Sequence, residues 1–348
     1  MTVTHLTLQH LRNHLKRSFE FKDITIIIGR NTAGKTNILE ALSILSHGTS
    51  FRAVRDADVI QEGRDFAKIE ADVSTTDDKA RLHAIFALHG TYLSKKYQVN
   101  GVARSLRTFS EYFYTVLFTP QDIEIVTDTP SLRRRYIDSI LTKSHKEYRS
   151  ALSKYEKALR QRNRMLHDAK IGRKEYRRAD YEFWENLLIE HGTIIHRFRE
   201  VFVDYVNNFK KEVFQFEMFY DHSIISTERL FKYHFEEAAA GVTLVGPQRD
   251  DFKFFFPGTK KEIKEFGSRG EQRLTILQLK LIEISYLLHA TGQRPILLLD
   301  DIFSELDAEN IDMIYHFIED QQTIITTTHR EFVPKKILKQ ENLAIIEL

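Results

Sequence analysis

Eight consecutive residues, Gly29-Arg30-Asn31-Thr32-Ala33-Gly34-Lys35-Thr36, carry the most specific chemistry in the chain. They fit the pattern G-x-x-x-x-G-K-[ST] of a P-loop. Gly29 and Gly34 let the backbone curl until several N–H groups face one cavity, and a helix N-terminus adds partial positive charge. Lys35 supplies a point charge for the β- and γ-phosphates of a nucleotide, Thr36 offers a hydroxyl to Mg2+, and Asn37 follows in the first helical turn. Far downstream, Ile296-Leu297-Leu298-Leu299-Asp300-Asp301 reads as a buried strand delivering two carboxylates to its C-terminal edge. That edge is where open α/β sheets bind ligands. Asp300 would hold Mg2+ through water together with Thr36, and Asp301 would orient or deprotonate an attacking water. A glycine-bearing loop, Gly267-Ser268-Arg269-Gly270-Glu271, opens a helix and forms a second potential anion site. His329 lies just past a strand expected at 323–327, and is either a γ-phosphate contact or an ordinary solvated histidine.

The surrounding pattern supplies the elements these groups need. A β-branched run, Ile24 to Ile28, reads as a buried strand, and Ile38, Leu39, Leu42 and Leu45 then recur at helical spacing on one face. Strand, glycine loop and helix in that order give the phosphate reading its context. Two short strands precede it, with Arg12 and Asn13 between them, placed either to reach a nucleotide or to make a turn. Arg52 and Arg55 follow the helix and read as nucleotide contacts, DNA contacts or a surface pair. The alternating runs 66–73, 80–88 and 96–99, with the turn signal Asn100-Gly101, predict an antiparallel sheet. Another short strand, 114–118, ends at Thr119-Pro120-Gln121-Asp122. Helix formers then dominate from Pro130 to about His167, and again from about Lys174 to Val213, which predicts a helical hairpin. Leu152, Tyr155, Leu159 and Leu166, with Trp184, Leu187, Leu188, Ile195, Phe198 and Phe202, would be that hairpin's own core. A strongly amphipathic helix is expected through Leu274, Leu277, Leu281 and Leu288.

The 348 residues suffice for more than one lobe, and the apolar fraction of 42% suffices for a sizeable core. Cysteine is absent, which excludes disulfides and thiolate metal sites and fits a reducing cytosol. No apolar run reaches the roughly 18–20 residues needed to span a bilayer, and no secretory signal opens the sequence. These features predict a cytoplasmic protein. The net charge of +2 conceals an asymmetry: residues 131–180 hold 16 Lys and Arg against 6 Asp and Glu. Such a basic segment is either a solvated helix face or a surface for nucleic acid. In the second reading Lys157, Arg160, Arg162 and Arg164 are the DNA-binding cations.

The order of the pieces resembles the ATPase heads of the ABC/SMC class, and within that class the RecF family of bacterial recombination mediators. The blocks that carry the resemblance are Pro130-Ser-Leu-Arg-Arg-Arg-Tyr-Ile-Asp138, Gly246-Pro-Gln-Arg-Asp-Asp251, Ser268-Arg-Gly-Glu-Gln-Arg273 and Leu298-Leu-Asp-Asp-Ile-Phe-Ser-Glu-Leu-Asp307. The resemblance spans nearly the whole chain. It implies an α/β fold: a P-loop ATPase head with a mixed sheet, in two parts at 1–125 and 241–348, and an inserted α-helical arm at 126–240. It implies ATP and Mg2+ as cofactors. It implies that Ser268, Gly270 and Glu271 reach the γ-phosphate held by a second copy, and that 304–307 form the D-loop at that junction. It implies that Gln121 senses Mg2+. It also implies an ATP-dependent homodimer on gapped or single-strand/double-strand DNA, with RecR and RecO as partners in loading RecA. The family usually has glycine at Thr32, an acid at Gln121, histidine at Gln248 and a basic residue at Asn310. Asp301 stands where many relatives carry a catalytic glutamate. Those departures leave room for a scaffold that holds ATP without turnover. A transport ATPase subunit is the other reading of a P-loop head, and it has no use for the basic arm.

Overall fold

The computed structural model describes residues 1–75, 78–175, 177–304, 318 and 320–348. The chain forms two compact units, one made of Met1–Asp122 with Lys280–Leu348 and the other of Ile123–Leu279. The units divide at 122/123 and 279/280, beside expected boundaries at 125/126 and 240/241.

The first unit contains two sheets. One is antiparallel, with order β2-β1-β4-β5-β6-β7, built from β1 (Thr2–Leu11), β2 (His14–Glu20), β4 (Phe66–Ser74), β5 (Lys79–His89), β6 (Tyr92–Val99) and β7 (Val102–Arg104). Alternation sets its inner face: Ala67, Ile69, Ala71 and Val73 of β4 are buried, as are Ala80, Leu82, Ala84 and Phe86 of β5. Asn100 and Gly101 both take positive φ, 52° and 79°, in the turn between β6 and β7, as the Asn-Gly pair predicts. The other sheet is parallel throughout, with order β13-β3-β12-β11-β8, built from β3 (Ile24–Ile28), β8 (Thr115–Phe118), β11 (Ile296–Leu299), β12 (Thr323–Thr327) and β13 (Leu343–Glu347).

The helix Lys35–His47 shares one apolar cluster with both sheets. Ile38, Leu39, Ala41, Leu42, Ile44 and Leu45 pack with Leu6, Leu8, Ile69, Leu82 and Phe86 and also with Ile27, Leu298 and Ile324. The single apolar face expected for this helix is therefore a correction: covered by two sheets, it buries even Glu40, Ser43 and Ser46. Gly48 ends it with φ 75° and donates its N–H to Ile44 O at 2.7 Å, and the Tyr97 hydroxyl donates to Gly48 O at 2.8 Å. Similarly, residues 275–284 of the helix Arg269–Thr291 are all buried, so its expected amphipathic pattern gives way to burial on every side.

The second unit is mainly helical, with helices Pro130–Ser144, Lys146–Lys170 and Glu182–Asn208 and a two-stranded sheet of β9 (Glu217–Asp221) and β10 (Asp251–Phe255). The first predicted helix is broken at His145, which is extended at φ −131° and ψ 114°. The second begins at Glu182 rather than near Lys174, after the turn at Gly172. The long pair buries Tyr155, Ala158 and Leu166 on one helix and Leu188, Ile195 and Phe202 on the other.

Two buried arginines lie in these same apolar stripes. Arg162 is fully buried; its Nη2 meets Glu185 Oε1 at 2.9 Å and Glu237 Oε2 at 2.7 Å, and its Nη1 donates to Thr243 Oγ1 at 2.9 Å. A DNA contact at Arg162 is thus excluded, since no part of its side chain reaches solvent. Arg199, also buried, donates to Asp138 Oδ1 at 2.7 Å, to Asp250 Oδ2 at 2.6 Å and to Pro247 O at 2.9 Å. Arg133 adds a two-pronged bond to Asp251 at 2.7 and 3.1 Å. Two of the blocks singled out in the sequence, 130–138 and 246–251, therefore brace each other through paired charges inside the second unit.

Candidate functional site

The parallel sheet sends the C-terminal ends of β3, β12, β11 and β8 to one edge. The glycine loop follows β3, His329 follows β12, Asp300 and Asp301 follow β11, and Gln121 follows β8. Sheet topology thus gathers at one edge residues nearly 300 positions apart. His329 and Gln121 are exposed there, the histidine ring lying edge-on to Phe332 at 5.3 Å.

Thr36 Oγ1 donates to Asp300, 3.0 Å from each carboxylate oxygen. Asp300 Oδ1 also accepts from Thr326 Oγ1 at 2.6 Å, and Thr326 Oγ1 accepts the Asp301 N–H at 3.0 Å. Burial pushes the Asp300 carboxyl above the usual carboxylate range, opposed by the bonds from Thr326 and Thr36 and by the charge of Arg52. A hydroxyl and a buried carboxylate are hard oxygen donors that suit Mg2+, which keeps waters and takes few protein ligands. Among the described residues no group of three or more His, Cys, Asp or Glu could hold a metal ion.

Lys35 is nearly buried, and its Nζ donates to Gly29 O at 2.6 Å and to Arg30 O at 3.1 Å. Burial lowers its pKa, while the charges of Asp301 and Asp300 act in the opposite direction. Gly34 takes φ 99° as the helix N-cap. Gly29 faces Leu348 and Ala33, whose Cβ atoms would lie 3.1 and 3.2 Å from a Cβ added there. Ala33 N donates to Arg30 O at 3.1 Å and so closes the turn over Asn31 and Thr32. Thr32 and Asp301 both occupy the left-handed region, at φ 74° and 51°. For a β-branched residue such as Thr32 this is strained backbone.

The arginines near the site have definite partners. Arg12 grips Glu40 through Nε at 3.0 Å and Nη2 at 2.6 Å and donates through Nη1 to Asp58 O at 2.6 Å. Its guanidinium ties the β1–β2 turn to the P-loop helix, the role of a turn residue rather than of a free cation. Arg52 donates to Asn37 Oδ1 at 3.2 Å and so stays beside the loop. Arg55 is 81% exposed and paired with Asp58 at 3.1 Å. In the second unit, Ser268 caps the helix Arg269–Thr291: its N–H and hydroxyl both donate to Glu271 Oε2 at 2.8 Å. Gly270 is exposed, and a Cβ added there would lie 3.9 Å from Ser268 Oγ. Lys157, Arg160 and Arg164 are exposed on the helix Lys146–Lys170. The stretch 305–317, with the rest of the expected D-loop and Asn310, lies outside the described residues.

Sequence reasoning left Asn13 between a nucleotide contact and a turn, and did not single out His14 or Thr326. Asn13 and His14 pack on Gly34, and Thr326 joins the two acids. The polar run Thr326-Thr327-Thr328-His329 at the end of a buried strand was the available signal for the last.

A phosphate loop and an acid pair at one edge of a parallel sheet, with an antiparallel sheet over the P-loop helix and a helical insertion, define an SMC-like P-loop head. The family model described as RecF/RecN/SMC N terminal domain matches residues 2–346. The chain belongs to the RecF family. The DNA replication and repair protein RecF of Oceanobacillus iheyensis is 33% identical, the match covering 99% of this chain and 98% of that protein. Its counterpart in Halalkalibacterium halodurans is 32% identical over 100% of this chain and 98% of its own. The solved structure of the recombination mediator protein RecF with ATP, in the RecFOR pathway, is similar at a TM-score of 0.86 and 29% identity, covering 95% of this chain and 93% of that one. The Smc head domain of Pyrococcus yayanosii, at 14% identity and a TM-score of 0.52 over 95% of this chain and 92% of its own, shows the shared fold. Among the described residues no helix is long and apolar enough to cross a membrane.

Proposed function

We propose that this chain is an ATP-dependent DNA-binding protein of recombinational repair and replication restart, acting in the cytoplasm. The observation that carries the reading is the Thr36–Asp300 pair at 3.0 Å beside Lys35, the donor set a magnesium–nucleotide complex needs. In this reading Lys35 leaves the carbonyls of Gly29 and Arg30 and turns to the β- and γ-phosphates of ATP. Thr36 and Asp300 would hold Mg2+, with Gln121 as a further contact. Bound Mg2+ would neutralise charge building on the phosphates. Asp301, held by Thr326 at its N–H, orients the attacking water, and His329 meets the γ-phosphate. Asp301 is one methylene shorter than the glutamate common in the class, which favours slow turnover, stimulated by DNA.

The exposed cap formed by Ser268, Gly270 and Glu271 is the surface that meets the γ-phosphate of a second copy, so ATP closes a homodimer and hydrolysis opens it. Lys157, Arg160 and Arg164 of the second unit contact duplex DNA, gapped or at single-strand/double-strand junctions; in the first unit Arg52 and Arg55 are the DNA-contacting cations. Contacts are mainly to phosphates, so affinity falls steeply with salt and shows little base preference. The RecFOR pathway named for the similar solved structures supports RecR and RecO as partners; loading of RecA is the role proposed for that assembly.

Ser268→Arg tests the shared site. The variant is expected to bind ATP as the parent does and to stay monomeric in light scattering with ATP present. Dimers of the variant at parental ATP levels would count against a γ-phosphate held from both sides.

A further inference from the structure

The turn between β1 and β2 leans on the phosphate loop through a chain of hydrogen bonds with a fixed direction. Arg52 Nη1 donates to Asn37 Oδ1 at 3.2 Å. Asn37 Nδ2 donates to Asn13 Oδ1 at 2.8 Å. Asn13 Nδ2 donates to Thr32 O at 3.2 Å. A guanidinium has donors and no acceptor, so the amide oxygen of Asn37 must face Arg52. That leaves the Asn37 nitrogen for Asn13, and the Asn13 nitrogen for the Thr32 carbonyl. The charged end of the chain thus fixes the orientation of both amides.

The chain ends at the strained residue of the loop, Thr32, at φ 74°. A threonine in that region is held there by its surroundings or relaxes out of it. The same turn blocks the space beside Gly34: a Cβ there would lie 2.5 Å from Asn13 Oδ1 and 2.7 Å from His14 Nε2. His14 Nε2–H donates to Gly34 O at 3.2 Å. Burial holds the pKa of His14 below the usual histidine range, which keeps the ring neutral in that role.

We infer that Asn13 is a positioning residue for nucleotide binding: it holds the Thr32 peptide in the left-handed turn that the curled loop requires, and Arg52 orients it through Asn37. This inference rests on the ATP reading above and deepens it. A glycine at this position would take the same φ without strain. The need for Asn13 is therefore tied to the threonine at position 32, which holds φ 74° at a cost that glycine would not bear.

The test is a double-mutant cycle on the full chain, with ATP affinity measured by titration calorimetry for the parent, Asn13→Ala, Thr32→Gly and the double variant. Loss of one hydrogen bond predicts that Asn13→Ala weakens ATP binding roughly three- to tenfold when Thr32 is present. In the Thr32→Gly background the loss shrinks to less than about twofold, since the strain that Asn13 opposes is gone. Asn13 is exposed, so the thermal midpoint should not move and serves as the control for folding. Equal losses in the two backgrounds, or none in either, would overturn the assignment while leaving the ATP reading intact. Failure of the parent chain to bind ATP would overturn that reading and this inference with it.

Discussion

Replacing Lys35 by alanine is expected to weaken ATP binding by at least about 100-fold, or about 2.7 kcal/mol. The reason is local charge. Asp300 and Asp301 face the same loop, and the lysine charge offsets both. Without it, a triphosphate meets two carboxylates with only loop N–H groups and the bound cation to balance them. The fold should survive, because Lys35 Nζ bonds to loop carbonyls, Gly29 O and Arg30 O, which water can serve in its absence. Calorimetry of ATP binding, read beside a melting curve, checks both halves. Retained affinity in a folded variant would remove the phosphate site from this loop.

Arg162→Ala is expected to destabilise the second unit by about 3–5 kcal/mol, the cost of leaving buried acids without their cation. Glu237 is fully buried and Glu185 nearly so, and both meet the same guanidinium. A fall in thermal midpoint on the order of 10 °C corresponds to that cost. Arg160→Ala with Arg164→Ala should leave the midpoint in place. That pair should instead flatten the dependence of DNA affinity on salt, by roughly 0.9 in log–log slope for each phosphate no longer neutralised. Melting curves and salt titrations of the two variants separate a bracing arginine from a DNA-facing one. An unchanged melting curve for Arg162→Ala would contradict the buried hub, and an unchanged slope for the exposed pair would move the DNA path elsewhere.

The contrast between those arginines shows where sequence reading succeeds. The P-loop was legible because its chemistry is local: eight residues in a row, after an apolar strand and before a helix. The acid pair was legible because Leu297, Leu298 and Leu299 announce a central strand whose edge must carry function. Arg162 was misread because charge was counted by segment rather than by helical face. It lies four residues after Ala158 and four before Leu166, inside the apolar stripe of its helix, and Arg199 sits the same way between Ile195 and Phe202. A charge at a stripe position signals a buried partner, here Glu237 for Arg162 and Asp250 for Arg199. Asn13 and Thr326 could not be read this way, since their roles depend on neighbours brought together by sheet topology. The division at 279/280 depends on such neighbours as well. Asp250 and Asp251, which look like part of a returning head, are the acids that Arg199 and Arg133 need inside the helical unit.

The central claim is that ATP joins two copies of the chain. The direct measurement is the molar mass of the unmodified protein by light scattering, at one protein concentration, with saturating Mg2+ and ATP and without them. The predicted result is a shift from the monomer value of 40.9 kDa to about twice that mass on adding ATP. A chain that binds ATP and keeps the monomer mass would contradict it.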